Sequence, residues 1–586
     1  MAKVLLVGWD GAGWNRIHPL LDSGAMPNLA RMVDNGVMGD LAPLTPLCSP
    51  LLWTSVATGQ FADRHGILDT AEPDPVTGGV RPITRVSLCA PQIWDILARE
   101  GVRSQVTGWP ATHPAQGPAT CVSNGFAYGI PRTVYPPSLA SKIEPLRFHP
   151  GEWVGEELSL FVPEFASIDQ DKDKRLAKLA IVLARTVSVH AAATTLMESI
   201  EWDFVAVWFG AIGSIYEILR PGTDVIYREA LPGVYRFLDL LLGRLLQLAG
   251  PEAVTLLVSD RAAGEPEWHD STRVGSRGIL CATGAQIKPD ELTFGTGLLD
   301  ISPTILSLFH FAAPPEMPGR ILSEICPETP VRAVQAAIAV TAPVAVQPLL
   351  DRDLLELEAL GYKDTVAAAR RPEAEAASAR RSYNLARVLL GQDRAAEAVP
   401  LLEEIATKNK DNLEFRLYLA HSYLRSGKVA ECRVLCQALL AEHPDSPLAA
   451  ISAAHLAIAE GNFSEAQEHL KAGRGVYGIA APLDCAMGIA YLRTENWEEA
   501  ATAFRSAIET DSRMPAAYSG LARAMLGAKR YEEAAESALD AVRLRYDLPN
   551  AHGILGAALR AMGREEAAAG AFAARETLLR RRAPAL

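Results

Sequence analysis

The stretch VLLVGWDGAG, residues 4–13, decides how the rest of the chain is read. Val4 to Val7 are four consecutive apolar residues. They are too few for a helix, stop at Gly8 and show no alternation, which is the pattern of a strand covered on both faces in a parallel sheet. Asp10 then falls just past the carboxyl end of that strand, the edge at which open α/β sheets bind ligands, so its carboxylate is a candidate metal or substrate group. The competing reading makes Asp10 a cap for the next helix or turn.

Outward from this strand, short apolar runs alternate with helical segments as far as about residue 330, the signature of an α/β domain. PNLARMVDNG (27–36) opens with proline and closes with glycine, as a helix does. QIWDILAREG repeats the device before a predicted strand, VRSQVTG. The segment 175–200 reads as helix, DFVAVWFG (203–210) as a buried strand, 225–249 as largely helix, and AVTLLVSD (253–260) as another buried strand. Asp260 ends that strand as Asp10 ends the first, so two distant segments each bring an aspartate to one sheet edge. Between them lies LTPLCSPLLWTSVATGQFADRHGI (44–67), in which Ser49 precedes Pro50 and an apolar helical run. The Ser49 hydroxyl is thereby placed at a helix N-terminus, where free N–H groups favour an anion. An ordinary serine cap followed by proline has the same appearance. Cys48 is a rival nucleophile with no histidine partner placed by the sequence.

Five blocks, VLLVGWDGAGW, MPNLARMVDNG, SPLLWTSVATGQFADRHGI, LLVSD and LLDISPTILSLF, occur in an order that resembles the type I phosphodiesterase and nucleotide pyrophosphatase group of the alkaline phosphatase superfamily. The resemblance implies an alkaline-phosphatase-like α/β domain with a mostly parallel central sheet over residues 1–326. It also implies two divalent metals, usually zinc, beside a Ser or Thr nucleophile that forms a covalent phosphoenzyme. On that pattern Asp10 and Asp260 take metal-ligand positions and Ser49 takes the nucleophile position. His269 takes the last histidine position if the segment before Gly278 carries an insertion.

Three ligand positions of the pattern are changed. Gly213 and Glu217 stand where the family has Asp and His, and Arg261 stands where it has the His after the second aspartate. Thr70 falls near an Asn that holds phosphate charge in some relatives. A zinc site wants four ligands, usually at least three from protein, and two-metal hydrolysis needs both ions. A guanidinium about 4 Å from a divalent ion is repelled by roughly 8 kcal/mol at an effective dielectric of 20. The expectation is that Arg261 pairs with Asp260 or Asp10 and that the pocket can still hold a phosphate-bearing ligand through Arg261 and the helix start at Ser49.

Residues 327–378 are Ala/Val/Pro-rich at first and read as a linker with short helices, including one broken at Pro372. Beyond them the chain repeats every 34 residues, the length of a helix-turn-helix tetratricopeptide (TPR) unit. Ala398, Cys432, Ala466, Ala500, Ala534 and Ala568 keep that spacing, and twelve residues before each stands Ala386, Ala420, Ala454, Gly488, Ala522 or Gly556. Six TPR repeats over 379–582, an all-α solenoid, follow. Cys432 and Cys436 lie one turn apart but fall on packing positions, which favours core over metal. The groove of the array is expected to present Leu417, His421, Ile451, His455 and Ile489, with Arg387 and Arg523 toward its ends, an apolar surface for a protein partner.

A chain of 586 residues exceeds one core, so two to four domains are expected. With 49% hydrophobic and 21% charged residues its composition is that of a soluble globular protein. A formal charge of −13 and no long basic span exclude a general nucleic-acid binder. Eight cysteines without a disulfide framework fit a reducing compartment. MAKVLLVGWDG has no signal-peptide anatomy, and the apolar FLDLLLGRLLQLAG is short for a bilayer and carries Arg244. The expectation is a cytoplasmic protein with no membrane span, a scaffold in which a phosphodiesterase-like domain with a degenerate metal centre is joined to a partner-docking array and needs no cofactor. The alternative is an active phosphoester hydrolase using zinc or another divalent metal.

Overall fold

A computed structural model describes residues 2–74, 78–153, 155–219, 224–264, 277–326, 332–334, 371–474 and 480–582. His269 and most of the linker lie outside these residues. The described chain falls into two compact units that divide at Ser378.

The first unit is built on strands β1 (Val4–Trp9), β2 (Gly36–Leu41), β3 (Ala71–Pro73), β4 (Val80–Pro82), β5 (Ser104–Thr107), β6 (Thr120–Val122), β7 (Val134–Tyr135), β8 (Phe204–Phe209), β9 (Val254–Val258), β10 (Gly278–Thr283) and β11 (Glu291–Thr293). Nine of them form one mostly parallel sheet in the order β11-β2-β10-β9-β1-β8-β5-β6-β7, while β3 and β4 pair separately. The all-apolar run Val4–Val7 sits at its centre, pairing in parallel with β8 on one side and β9 on the other. All six residues of β1 are buried, as expected of a strand covered on both faces. The antiparallel arm of β10 with β2 was not legible, because β2 (GVMGDL) interrupts its apolar residues with glycine and aspartate and carries little strand periodicity.

Helices cover the sheet. On one face Leu5 and Val7 share one buried core with Leu179 and Leu183 of the helix Arg175–Ser199 and Leu238 and Leu242 of the helix Ala230–Ala249. Among the described residues, Arg175–Ser199, and not the stretch carrying Arg244, is the one helix long and apolar enough by composition to cross a membrane. Thirteen of its side chains are buried in this unit, so the sheet accounts for its hydrophobicity. The helix Pro27–Asp34 has proline in its first turn as its sequence predicts, but Met26 before it offers no capping oxygen. The cap comes from Asp239, 210 residues away: Leu29 N–H donates to Oδ1 at 2.7 Å and Asn28 N–H to Oδ2 at 3.2 Å. The cap is carried by a buried carboxylate on another helix.

The second unit is a run of twelve helices among the described residues, pairing in sequence: Arg371–Gly391 with Ala395–Lys408, Leu413–Arg425 with Val429–Glu442, Pro447–Glu460 with Phe463–Arg474, Ala480–Arg493 with Trp497–Thr510, Pro515–Gly527 with Tyr531–Leu544, and Pro549–Ala561 with Glu565–Arg582. The residues ahead of Arg371, where the helix broken at Pro372 is expected to begin, lie outside the described residues. The recurring small residues are the closest approaches: Ala386, Ala398, Ala454, Ala466, Ala500, Ala522 and Ala534 are all 0% exposed. At Gly488 and Gly556 an added Cβ would lie 2.7 and 2.8 Å from the rings of Phe504 and Phe572, so glycine is what lets those rings pack.

Replacing the shared cap, Asp239→Ala, leaves the buried Leu29 donor and the half-buried Asn28 donor without their acceptor. The expected loss is about 1–3 kcal/mol, read as a lower urea midpoint for the tryptophan-fluorescence transition. An unchanged midpoint would refute the capping role.

Candidate functional site

The site assembles where three neighbouring parallel strands end. Chain directions after β1, β8 and β9 bring Asp10, Gly213 and Asp260 together: Gly213 N–H donates to the Asp10 carbonyl at 3.0 Å, and Ala263 N–H to the Gly11 carbonyl at 2.8 Å. Gly11 holds φ at +83°, a conformation glycine adopts freely, and this turns the chain past Asp10. The Gly11 N–H then donates to Asp260 Oδ1 at 3.2 Å.

Ser49 arrives on the helix Ser49–Thr58. Cys48, not Ser49, occupies the cap position, and the Ser49 hydroxyl is spent on Asp10 Oδ1 at 2.5 Å. The ordinary serine-cap reading therefore fails, as does the reading of Asp10 as a cap, since Gly13 precedes the next helix. One helical turn beyond Ser49, Trp53 Nε1 donates to the same Asp10 oxygen at 2.9 Å. Residues four apart share a helix face, so a single helix directs two donors at one carboxylate. Trp53 was the functional neighbour missed in the sequence, although its spacing from Ser49 was visible there. Its ring also dictates Gly8 in β1, where an added Cβ would come within 2.8 Å of Trp53 and 2.9 Å of Trp208.

Arg261 lies across both carboxylates, with Nη1 2.7 Å from Asp260 Oδ2 and 4.0 Å from Asp10 Oδ1. Burial raises the Asp260 pKa above the usual carboxylate range and the Asp10 charge adds to the effect, while Arg261 opposes it. Burial disfavours the Arg261 charge in turn, but Asp260 and Asp10 outweigh it and hold the guanidinium protonated. Gly213 faces the other Asp10 oxygen: a Cβ there would stand 2.3 Å from Oδ2. Glu217, four residues on, is exposed. Thr70 is turned to its neighbour, donating its N–H to Asp69 Oδ1 at 2.7 Å. His269 lies outside the described residues, among which no group of three or more His, Cys, Asp or Glu side chains is arranged to hold a metal ion.

Two of the apolar residues expected to line a groove in the second unit are buried. Leu417 and Ile451 are only 9% and 7% exposed and belong to the packed layers between helix pairs. Ile489 packs partly against two such layers, His421 and His455 are half-buried, and Arg523 is exposed. Successive first helices pack on each other, so large apolar side chains at these positions are absorbed between repeats and do not line an open surface. The Cys432 and Cys436 thiols are buried in the same kind of layer.

Residues 4–265 match the family model described as type I phosphodiesterase / nucleotide pyrophosphatase. Two tetratricopeptide repeat models match residues 389–453 and 485–547. No curated protein matches the chain. Among solved structures, phosphonoacetate hydrolase from Sinorhizobium meliloti 1021 in complex with phosphonoformate is 19% identical, with 46% of this chain and 58% of that one covered and a TM-score of 0.31. A thermophilic TPR protein from Thermus thermophilus is 21% identical over 31% of this chain and 99% of its own, with a TM-score of 0.30.

The far end of the Ser49 helix carries a titration signature. His65 is fully buried, its Nδ1 accepts the Ile67 N–H at 3.2 Å, and its Nε2 lies 2.9 Å from Ser55 Oγ, which fixes the neutral ring as the Nε2–H tautomer. Burial lowers its pKa to about 3. The unfolded chain, with an ordinary histidine pKa, binds this proton first, so stability present above about pH 6.5 is lost as pH falls toward 3, by about 4–5 kcal/mol in total. A pH series of thermal melts on wild type and His65→Gln should show a shallower acid slope in the variant. Parallel slopes would count against it.

Proposed function

We propose that this chain, which joins a type I phosphodiesterase / nucleotide pyrophosphatase domain to tetratricopeptide repeats, is a cytoplasmic protein-interaction scaffold whose phosphodiesterase-like domain has exchanged its ion centre for an internal cation. The observation that carries the reading is Arg261 Nη1 at 2.7 Å from Asp260 and 4.0 Å from Asp10. A guanidinium at that distance supplies the positive charge two buried carboxylates need and repels a divalent ion that would compete for them.

The donor set is in keeping with this. Asp260 Oδ2 is committed to Arg261, Asp10 Oδ1 to Ser49 and Trp53, and Gly213 brings no ligating atom to the remaining Asp10 oxygen. Two-metal phosphoryl transfer needs ions bridging nucleophile and leaving oxygen, and these groups suit that arrangement poorly. The Arg261 charge beside the helix start at Ser49 is better suited to holding a phosphate-bearing ligand without turning it over. The repeats supply the partner-docking part, because stacked helix pairs form the extended surfaces that bind polypeptides.

The second reading is an active metal-dependent phosphoester hydrolase with Ser49 as nucleophile and Asp10, Asp260 and His269 as ligands. Its support is the Ser49 hydroxyl, directed at Asp10 from the first turn of a helix.

Two measurements separate the readings. Full chain purified with zinc in the medium should hold well under one metal per chain and hydrolyse a generic aryl phosphodiester no faster than Ser49→Ala; stoichiometric metal with Ser49-dependent turnover would establish the hydrolase. Arg261→Ala should destabilise the first unit by about 3–5 kcal/mol by leaving buried carboxylates uncompensated. A variant as stable as wild type in chelator would remove the structural role given to this guanidinium.

A further inference from the structure

Cys432 and Cys436 share one face of the helix Val429–Glu442, with their sulfurs 3.8 Å apart. They are 1% and 2% exposed, inside a layer formed with Leu417, Ala420, Leu439 and Leu456. The 34-residue register shows what is unusual about the pair. Cys432 takes a position that is alanine in the other five repeats, while Cys436 takes one filled by Leu402, Leu470, Phe504, Ala538 and Phe572. Four of those five side chains are larger than cysteine, so the second repeat places sulfur where its neighbours place bulk.

We propose that this thiol pair is a binding site for a soft, low-coordinate cation, Cu(I), held between the two sulfurs inside the second repeat. With metal–thiolate bonds of about 2.3 Å, sulfurs 3.8 Å apart subtend about 110° at an ion. Small side-chain rotations open that angle toward the linear arrangement. Four-coordinate zinc wants two further ligands, and no third His, Cys, Asp or Glu completes a metal-holding group here among the described residues. Thiolates select Cu(I) over hard cations, and two of them suffice for it.

Two thiolates around one Cu(I) keep a net negative charge, which the neighbouring Glu460 carboxylate opposes by raising both thiol pKa values. Glu460 acts on both thiols and is itself tied to Arg433 at 2.6 Å. The hydrogen bond between the two thiols lowers the Cys432 pKa and raises that of Cys436, so Cys432 is the sulfur that ionises first and Cys436 gives up its proton only to the metal. On binding, both thiols release their protons to solvent and copper keeps its oxidation state, so the step needs no redox partner.

The site is independent of the fate of the Asp10 and Asp260 centre and is tested separately from it. Reduced full chain is titrated anaerobically with Cu(I) in competition with a chromophoric copper chelator. The variants are Cys432→Ala and Cys436→Leu, each installing the residue that neighbouring repeats already carry, so packing is retained; far-ultraviolet circular dichroism verifies their fold. Wild type should bind one tight equivalent more than either variant, with a thermal shift on loading that the variants lack. Equal stoichiometry and affinity in wild type and in the doubly substituted chain would overturn the proposal, since Cys48 and Cys89, both partly exposed, remain in every sample.

Discussion

Two buried carboxylates that face one another need a cation or a shared proton between them, and that constraint organises the first unit. Parallel pairing of β1 with β9 fixes Asp10 and Asp260 at adjacent strand ends, where they are 7% and 0% exposed. An isolated buried carboxylate costs far more than a fold can spare unless it is paired and hydrogen-bonded. Arg261, Ser49, Trp53 and the Gly11 amide together meet that demand. A charge fixed to the chain needs no exchange with solvent. In the proposed reading, this is how a centre shaped for ions becomes a permanent part of the core.

The same demand reaches outward through tryptophan. Trp53 can reach Asp10 only because Gly8 leaves the face of β1 open, and its ring then meets Trp109 edge-on at 5.3 Å and Trp208 at 6.1 Å. Trp109 in turn donates to the Trp53 carbonyl at 3.2 Å. Aromatic edges and an indole N–H thereby hold the Ser49 helix against the sheet, coupling the placement of one hydroxyl to the packing of three strands.

In the second unit, the rule that made the repeats readable did not tell which apolar positions are buried between them. The alternation of Ala386, Ala398 and their counterparts at 34-residue spacing marks close helix approaches, and each such residue that the structure describes is packed as that spacing requires. Leu417 and Ile451 carry the same apolar character as a binding surface would, and nothing in their identity tells burial between repeats from exposure along them. Which face of a first helix is covered depends on the rotation between successive pairs, a quantity that composition does not encode.

From residues alone came the central strand, the two aspartates at its edge, the serine at a helix start and the array of repeats, because each rests on a local pattern: an unbroken apolar run, a helix-opening proline, a fixed spacing. What only folding decided were the contacts across hundreds of residues. Asp239 caps a helix 210 positions away, Cys48 displaces Ser49 from the cap, Trp53 and Ser49 share one oxygen, and the Arg261 guanidinium lies across Asp260 and Asp10. Charge pairing and hydrogen bonding are satisfied by whatever lies nearest in space, and nearness in space is settled by sheet order and helix packing, not by position along the chain.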